Sequence, residues 1–449
     1  MNYERWPFGP AAARTPDQEA RWWAECYQPD PATTLFMSAP GAAALIGGRG
    51  SGKTTAMTYL VRNATGDLAI PYETGQWPHG KRPWAPGKGH IGQIMAAAAT
   101  EIVGCLERQP ERFATLDPLN LSFLRWLVGF YLGRRALFRL LTRIAQATGQ
   151  PIAAMEERES LYSTDSAETD TWGQIGELAE LATALGYKRI VIWSDLDEAQ
   201  AMAVRSDLES LLAEHSLMKH ATFALRLTLP ALPELLMAAE RLSRSLLHFI
   251  YLDQSEAFVD KVLVRHLKTA SGGSCHDLSV LAEPPVLHRA QAEIERLFGR
   301  PHVLAGRLQW AQTLLELSQS HCPAADPEAT TLAYYTQHVP LQLADGRQGV
   351  WRGPQFIALD KTLYEALRTL FLLGGAPSPE ALIRMAGNPT NLNTLMSRLR
   401  AKVEPRIGPS ESATGASRPK SGQPSGRSEL YIHNRRDLGY WLENFIPLT

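Results

Sequence analysis

A glycine-rich segment near the N-terminus has the residue types and spacing of a phosphate-binding loop. It reads AAALIGGRGSGKTT and matches the template G-x-x-x-x-G-K-[ST] directly after an apolar run. Glycines let backbone N–H groups converge on phosphate oxygens, Lys53 adds catalytic positive charge at the β- and γ-phosphates, and the Thr54 hydroxyl can ligate Mg²⁺. The alternative is a glycine-rich turn that binds nothing. The candidate nucleotide-binding residues are Gly47, Gly48, Arg49, Gly50, Ser51, Gly52, Lys53, Thr54 and Thr55.

A second group of candidate residues follows another apolar run, in the segment RIVIWSDLDEA. Residues 190–193 predict a buried strand, and acids at its carboxyl end could hold Mg²⁺ and polarise an attacking water. The sequence leaves open which of the three acids takes which task. We favour Asp195, together with Thr54, for Mg²⁺ and Glu198 for water activation, with Asp197 as a further catalytic candidate. The alternative is a helix N-cap with acids in its first turn.

The run ATFALRLTLPA predicts the next core strand, over residues 222–229. If the glycine-rich loop binds a nucleoside triphosphate, the polar residues Arg226 and Thr228 of this strand are candidates for a group near the γ-phosphate. Either residue could equally face solvent from an ordinary strand.

The elements that must position these residues form an alternating pattern. Apolar strand-like runs at 43–46, 68–71, 189–193 and 222–229 alternate with helix-like stretches, which predicts an α/β fold with a parallel sheet covered by helices. Residues 233–320 are almost wholly helical in pattern. The predicted domains are an N-terminal arm packed on the first domain (1–35), a P-loop core (36–232), a helical lid (233–325) and an α+β domain (339–449).

Composition and charge restrict the class of protein. With 449 residues, 45% apolar and 20% charged, the chain has the size of two or three domains and the balance of a soluble globular protein. Residues 340–449 hold 14 basic against 9 acidic residues, which suits a module that binds a polyanion. The four cysteines form no C-x-x-C pair, and arginines interrupt the apolar stretch 121–141. We therefore expect no zinc site, no signal peptide, no membrane helix and a cytoplasmic location.

The order of P-loop, long insertion, acidic strand end and helical lid resembles the origin-recognition-like and STAND-like prokaryotic AAA ATPases, over roughly residues 36–320. This resemblance implies binding of ATP with Mg²⁺, ATP hydrolysis and a homo-oligomer. The segment ERLFGRPHVLAGRLQWAQ resembles the lid motif G-x-P-R-x-L, but His302 stands where the family has its nucleotide-sensing arginine, with Arg300 and Arg307 nearby. The insertion segment YETGQWPHGKRPWAPGKGH is either a partner or nucleic-acid contact or a surface excursion.

The C-terminal residues 339–443 resemble an OmpR-type winged helix. The matching features are the segment S-R-L-R-A-K in a candidate recognition helix, residues 392–403, and the G-Y that ends a hairpin at 431–441. The pattern also predicts helices over 362–373 and 379–385, and Gly, Ser and Pro predict a disordered, basic loop over 408–428. The resemblance implies binding to double-stranded DNA. The DNA-binding candidates are Arg398, Arg400, Lys402, Arg435 and Arg436.

Together these features predict a DNA-associated AAA-like ATPase that couples its nucleotide state to DNA or partner binding, for example in mobile-element control or antiphage defence. Protein partners encoded nearby are also expected. One alternative is an ATP-switched STAND-type transcription regulator. Another is a scaffold that binds ATP without hydrolysing it and uses its winged helix for protein contacts.

Overall fold

The computed structural model describes most of the chain in two compact units. The sheet unit comprises Pro29–Gly48 and Gly52–Asp253, and the C-terminal unit comprises Met1–Gln28, Arg49–Ser51 and Gln254–Thr449. The described residues are 3–77, 89–149, 171–197, 200–201, 205–217, 222–231, 247–252, 255–299, 304–318, 323–344, 347–376, 379–405, 407, 430–435 and 439–448. Glu198, Arg436 and the loop 408–428 lie outside these ranges.

The N-terminal arm begins with helix α1 (Pro16–Arg21), which Thr15 and Gln18 close with a capping box, and continues as a π-helix (Trp22–Cys26). The prediction that the whole arm packs on the first domain is wrong, because Met1–Gln28 belong to the C-terminal unit. There the Arg265 guanidinium donates to the carbonyls of Glu25 and Ala24, both at 2.7 Å. These bonds satisfy carbonyl groups at the end of the arm's helical turns.

Five parallel strands form the sheet of the first unit, and they run in the order β2-β3-β4-β1-β5. Their side chains are buried on both faces along β1 and β4, which explains the continuous apolar runs in the sequence. The four predicted strands are confirmed to within one or two residues at each end. The strands are β1 (Ala42–Gly47), β2 (Asp67–Pro71), β3 (Arg189–Asp195), β4 (Phe223–Pro230) and β5 (Leu247–Tyr251).

Strand β5 corrects the predicted boundary between core and lid. It pairs with β1 at the edge of the sheet, so the core reaches beyond residue 232 and the segment from 233 is not wholly helical. The apolar run LLHFIYL is only seven residues long. A short apolar run of this kind fits a buried helix turn and a strand equally well by periodicity, so the sequence pattern did not separate the two.

Helices cover the sheet, and two cores lie against its faces. Asp30 caps the helix Pro31–Ser38 and Asp117 caps the helix Pro118–Tyr131, each with proline at the first helical position. The fourth helix begins at His90, whose buried ring accepts from the Tyr72 hydroxyl at 2.8 Å and bonds the Asp207 carbonyl at 3.0 Å. The helices are α2 (Pro31–Ser38), α3 (Lys53–Asn63), α4 (His90–Arg108), α5 (Pro118–Tyr131), α6 (Arg134–Thr148), α7 (Thr171–Ala184) and α8 (Arg205–Leu217).

The C-terminal unit begins with four helices after the arm. They are α9 (Glu256–Ala270), α10 (Pro284–Phe298), α11 (Leu304–Leu317) and α12 (Pro327–His338). Next come a three-stranded antiparallel sheet in the order β6-β7-β8, three helices and a two-stranded hairpin. These elements are β6 (Leu341–Leu343), β7 (Gly349–Arg352), β8 (Gln355–Ala358), α13 (Lys361–Leu372), α14 (Pro379–Ala386), α15 (Pro389–Val403), β9 (Ile432–Arg435) and β10 (Gly439–Leu442).

Helix α15 starts three residues earlier than its predicted start at 392. The Asn388 side chain accepts from the N–H of Asn391, and Pro389 occupies the first helical position. Leu395 and Leu399 are buried in the core of this unit, as their spacing predicted. Among the helices that the structure describes, none is both long enough and apolar enough to cross a membrane.

Candidate nucleotide site and C-terminal surface

The loop between β1 and α3 has the conformation that an anion site needs. Gly50 and Gly52 have φ of +79° and +89°, values that glycine adopts without the steric cost other residues incur. Gly52 is also the N-cap of α3, with no side-chain cap bond, and the first turn of α3 contains no acid. The N-terminal N–H groups and the positive end of the helix dipole therefore point toward the loop without a carboxylate to neutralise them.

Lys53 lies over this loop. Its Nζ donates to the carbonyls of Gly47 at 2.8 Å and Gly48 at 2.9 Å. The ammonium group is thus held where phosphate oxygens would take over its hydrogen bonds, and Thr54 is exposed on the first turn of the same helix. The residues present therefore fit a triphosphate, with Thr54 and Thr55 following the lysine.

The tip of the loop, Arg49–Ser51, groups with the C-terminal unit. Within that unit Arg49 Nη2 donates to Gln342 Oε1 at 3.1 Å, and its guanidinium lies 5.3 Å from the centroid of the Trp351 ring. Ser51 is buried.

Asp195 and Thr228 meet at the same edge of the sheet as the loop. They are direct partners on β3 and β4, and Thr228 is in turn the partner of Leu45 on β1, two residues before Gly47. The Thr228 hydroxyl donates to the Asp195 carboxylate and accepts from the N–H of Leu196 at 3.1 Å. Two strand spacings, about 10 Å, separate β3 from β1.

The Asp195 side chain lies on the sheet face that α3 covers. Val191, four residues earlier on β3, packs in the same core as Ala56, Met57 and Leu60 of α3. Residues an even number of positions apart on a strand share a face. An acid, a hydroxyl and the loop lysine therefore occupy one edge and one face of the sheet, as the sequence predicted for Asp195.

Asp197, the further catalytic candidate, has a hydrogen-bond partner close to it in the chain. Its carboxylate accepts from the N–H of Gln200 at 2.8 Å, and its own N–H donates to Gln200 Oε1 at 3.1 Å. This reciprocal pair is a capping box that starts the next helical turn, which gives the Asp197 carboxylate a structural task.

The structure contradicts the prediction that Arg226 could lie near the γ-phosphate. It is fully buried, and its guanidinium donates to the carbonyls of Gly41 at 2.7 Å and Ala39, both before β1 and so at the opposite end of the strand from the loop. Burial lowers the pKa of Arg226 to about 10. Thr228, two residues further along β4, lies at the edge of the sheet that carries the loop.

In the predicted lid segment, Arg307 pairs with Asp260 of α9. Arg300 and His302 lie outside the described residues. Within the described part of the chain, no group of three or more His, Cys, Asp or Glu side chains could hold a metal ion. A magnesium ion held by Thr54 and Asp195 would take its other ligands from phosphates and water, as Mg²⁺ sites on nucleotides usually do.

The exposed side of α15 carries part of the predicted DNA surface. Arg398 and Lys402 are exposed four residues apart, with Thr394 one turn before them, so they share one face. Arg398 pairs with Asp360 at 3.3 Å, and Arg435 is exposed at the end of β9.

Arg400 does not share that face, which corrects its prediction as a DNA contact. Its Nη2 donates to the Ile432 carbonyl at 2.8 Å, and its guanidinium lies 5.5 Å from the centroid of the Tyr440 ring. The sequence pattern S-R-L-R-A-K places Arg400 two positions from Arg398, about 200° around a helix, and this separation was the signal that the two arginines point to different surroundings.

The strand order together with the glycine-rich loop after β1 defines an α/β P-loop NTPase fold. No protein-family model and no curated protein matches this chain. Among solved structures, it is similar to the Orc1 protein of Aeropyrum pernix in complex with DNA, at 16% identity and a TM-score of 0.37, over 89% of this chain and 87% of that one. It is also similar to Cdc6p from Pyrobaculum aerophilum, at 11% identity and a TM-score of 0.33, over 99% of this chain and 94% of that one. Because both TM-scores are low, the fold class rests on the sheet and the loop.

Proposed function

We propose that this chain is an ATPase that binds ATP with Mg²⁺ at residues 47–55 and binds double-stranded DNA through α15 and the hairpin β9–β10. One observation carries the ATPase half. Lys53 is folded onto the loop carbonyls at the sheet edge where Thr228 holds the Asp195 carboxylate. One edge of the sheet therefore offers groups that could bind phosphate and an acid that could hold the metal or activate water.

Each residue has a proposed task. The loop amides hold the phosphates, and Lys53 exchanges its two carbonyl acceptors for phosphate oxygens. Thr54 and Asp195 would hold Mg²⁺, which neutralises charge on the β- and γ-phosphates. Thr228 keeps the Asp195 carboxylate in place, and Glu198 is the candidate that accepts a proton from the attacking water.

Hydrolysis tests the ATPase half. We expect Lys53→Ala to lose ATP turnover, because charged hydrogen bonds of this kind contribute about 1.5–3 kcal/mol, or roughly 10- to 100-fold. Lys188→Ala is the matched control, since Lys188 is an exposed lysine away from the loop, and it should hydrolyse ATP like the wild type. A Glu198→Gln protein that turns over ATP at the wild-type rate would remove Glu198 from the proposal.

The DNA half is supported by charge and by exposure. Residues 340–449 carry a net charge of +5, and the exposed face of α15 presents Arg398 and Lys402 beside polar side chains. Contacts of this kind with phosphates weaken as salt rises, because each contact releases condensed counterions. We further propose that nucleotide state and DNA or partner binding are coupled in a homo-oligomer. Mobile-element control and antiphage defence are compatible settings.

One observation favours a second function for the same surface. Arg398 is paired with Asp360 and Arg400 is turned inward, so fewer charges face outward than the sequence implied. A surface that binds a protein partner needs fewer exposed charges than a surface that binds DNA. Reversing Arg435 and Arg436 to Glu separates the two: the DNA proposal requires weaker duplex binding and a flatter salt dependence, whereas unchanged duplex binding assigns the surface to a protein partner.

A further inference from the structure

Helix α15 holds one residue of the hairpin, Ile432, at both ends of its backbone. Glu404 Oε1 accepts the N–H of Ile432 at 2.7 Å, and Arg400 Nη2 donates to its carbonyl at 2.8 Å. Glu404 caps the C-terminus of α15 and lies four positions after Arg400, so the two side chains leave the helix on the same side. They therefore fix both the position and the rotation of β9 against α15.

Glu404 makes two further bonds to the start of the hairpin. Its carboxylate accepts the N–H groups of Leu430 at 3.1 Å and Tyr431 at 3.0 Å. The side chain is buried, and hydrogen bonds to a charged acceptor are about twice as strong as neutral ones. Burial raises the pKa of Glu404, while these N–H groups and Arg400 lower it in part. Three consecutive backbone donors on one buried carboxylate form a specific anchor.

The second strand of the hairpin is tied to the same helix. The Tyr440 hydroxyl of β10 donates to Asn393 Oδ1 at 2.9 Å, and the Arg400 guanidinium lies over the Tyr440 ring. Asn393, Arg400 and Glu404 are spaced seven and four positions apart, which places all three along one side of α15. Three side chains along α15 therefore bind the hairpin: Asn393, Arg400 and Glu404.

A charged residue of the same hairpin, Arg435, lies beyond these contacts. Arg435 follows Ile432 by three residues on β9, about 10 Å along the strand. On the opposite side, α15 exposes Arg398 and Lys402. Phosphate contacts set the register of a protein on a duplex, so charges on a helix and on a hairpin act together only when their separation is fixed.

We infer that Glu404 is a positioning residue for DNA binding, which sets where Arg435 stands relative to the exposed side of α15 by anchoring the backbone of Leu430, Tyr431 and Ile432. The inference rests on the proposed DNA-binding function of this surface. Glu404 itself contacts no DNA, because its carboxylate is buried and occupied by the hairpin.

A double-mutant cycle in the full-length chain tests the inference. Glu404→Gln keeps the size of the side chain but replaces one acceptor oxygen with an NH₂ group that cannot accept an N–H. Glu328→Gln is the matched control, because Glu328 is an exposed acid in the first turn of α12 and its substitution removes the same charge. Each substitution is combined with Arg435→Gln, and the Kd for a fluorescein-labelled random-sequence duplex is measured by anisotropy over a series of KCl concentrations.

We expect Arg435→Gln alone to weaken binding by about fivefold and to lower the salt slope by about one. In the Glu404→Gln background the same substitution should change the Kd by less than about twofold, since Arg435 no longer stands at the phosphate. In the Glu328→Gln background it should keep its full effect. Hydrogen exchange should show faster exchange of the Tyr431 and Ile432 amides in Glu404→Gln.

Additive effects of Glu404→Gln and Arg435→Gln would overturn the inference while leaving the proposed DNA binding intact. If the wild-type chain binds no duplex, the proposed function fails and the inference fails with it. Should Glu404→Gln not fold, Arg400→Met serves in its place, because it releases the Ile432 carbonyl, and it must suppress the effect of Arg435→Gln in the same way.

Discussion

Removing the Thr228 hydroxyl is a sharp perturbation of the proposed active site. Thr228→Val keeps the shape of a β-branched side chain on a buried strand, but it deletes a donor to the Asp195 carboxylate and an acceptor for the Leu196 N–H. A hydrogen bond to a charged group contributes about 1.5–3 kcal/mol, and an unsatisfied buried N–H costs about 1–3 kcal/mol. Together these two losses predict a decrease in stability of about 2.5–6 kcal/mol.

The effect on turnover should be separate from the effect on binding. Asp195 is proposed to act on the metal or the water. If it loses the hydrogen bond that keeps it in place, worth about 1.5–3 kcal/mol, we expect a roughly 10- to 100-fold lower kcat. The affinity for ATP without Mg²⁺ should stay within about threefold, because the loop and Lys53 are unchanged. The assay is phosphate release at saturating Mg-ATP, below the melting temperature of the variant.

Two controls accompany this experiment. Thr228→Ser retains the hydroxyl and should keep kcat within about threefold of wild type, since both hydrogen bonds remain possible. Thr313→Val removes a buried hydroxyl from the C-terminal unit, bonded to Gln309 and Gln337, and should lower stability without changing kcat. The reasoning is refuted if Thr228→Val hydrolyses ATP at the wild-type rate with the wild-type dependence on Mg²⁺.

The remaining predictions concern Asp197, Arg226 and the buried histidines. Asp197→Ala should cost about 1 kcal/mol of stability as a lost N-cap and leave kcat within twofold, and a large fall in kcat would assign it to catalysis instead. Arg226→Met should lower the melting temperature, at a cost of about 1–3 kcal/mol for carbonyls left unpaired, with Mg-ATP affinity unchanged in calorimetry. His90 and His266 have pKa values lowered to about 4 by burial, so each is neutral in the folded protein. The unfolded chain binds the proton first, so stability should be complete above about pH 6.5 and fall toward pH 4, by up to about 3 kcal/mol for each histidine, with His90→Gln reducing that pH dependence in urea unfolding.

Local patterns predicted the glycine-rich loop and the strands beside it. The loop and the two apolar strands are encoded by consecutive residues, because a glycine-rich turn and a buried parallel strand leave direct traces in the sequence. From those traces Asp195 was placed at the correct edge of the sheet. Thr228 was one of two open candidates, and only the strand register separated it from Arg226.

The errors concern residues whose partners are distant in sequence. Arg226 bonds carbonyls about 185 positions away, and Arg400 bonds one 32 positions away, so no local pattern shows that these arginines are internal. Burial of a charged residue is rare enough that an exposed, functional role was the default expectation. Edge strand β5 and the packing of the arm on α9 also depend on long-range contacts.

Glu404 went unnoticed for the same reason. In the sequence it is one acid after a helix rich in basic residues, and nothing local distinguishes it from a solvent-exposed C-terminal residue. Its function as an anchor depends on the backbone N–H groups of residues 430–432, which follow a long intervening loop. Such a contact is visible only once the hairpin is placed against the helix.

The proposed function depends on binding of a triphosphate and its metal by Lys53 and the backbone of Gly47–Thr55. Isothermal titration of the purified chain with Mg-ATP measures this most directly. We expect saturable binding of Mg-ATP at one site per chain. Lys53→Ala should weaken this binding at least about tenfold, and Lys188→Ala should leave it unchanged. Absence of saturable binding, or equal binding by Lys53→Ala, would contradict it.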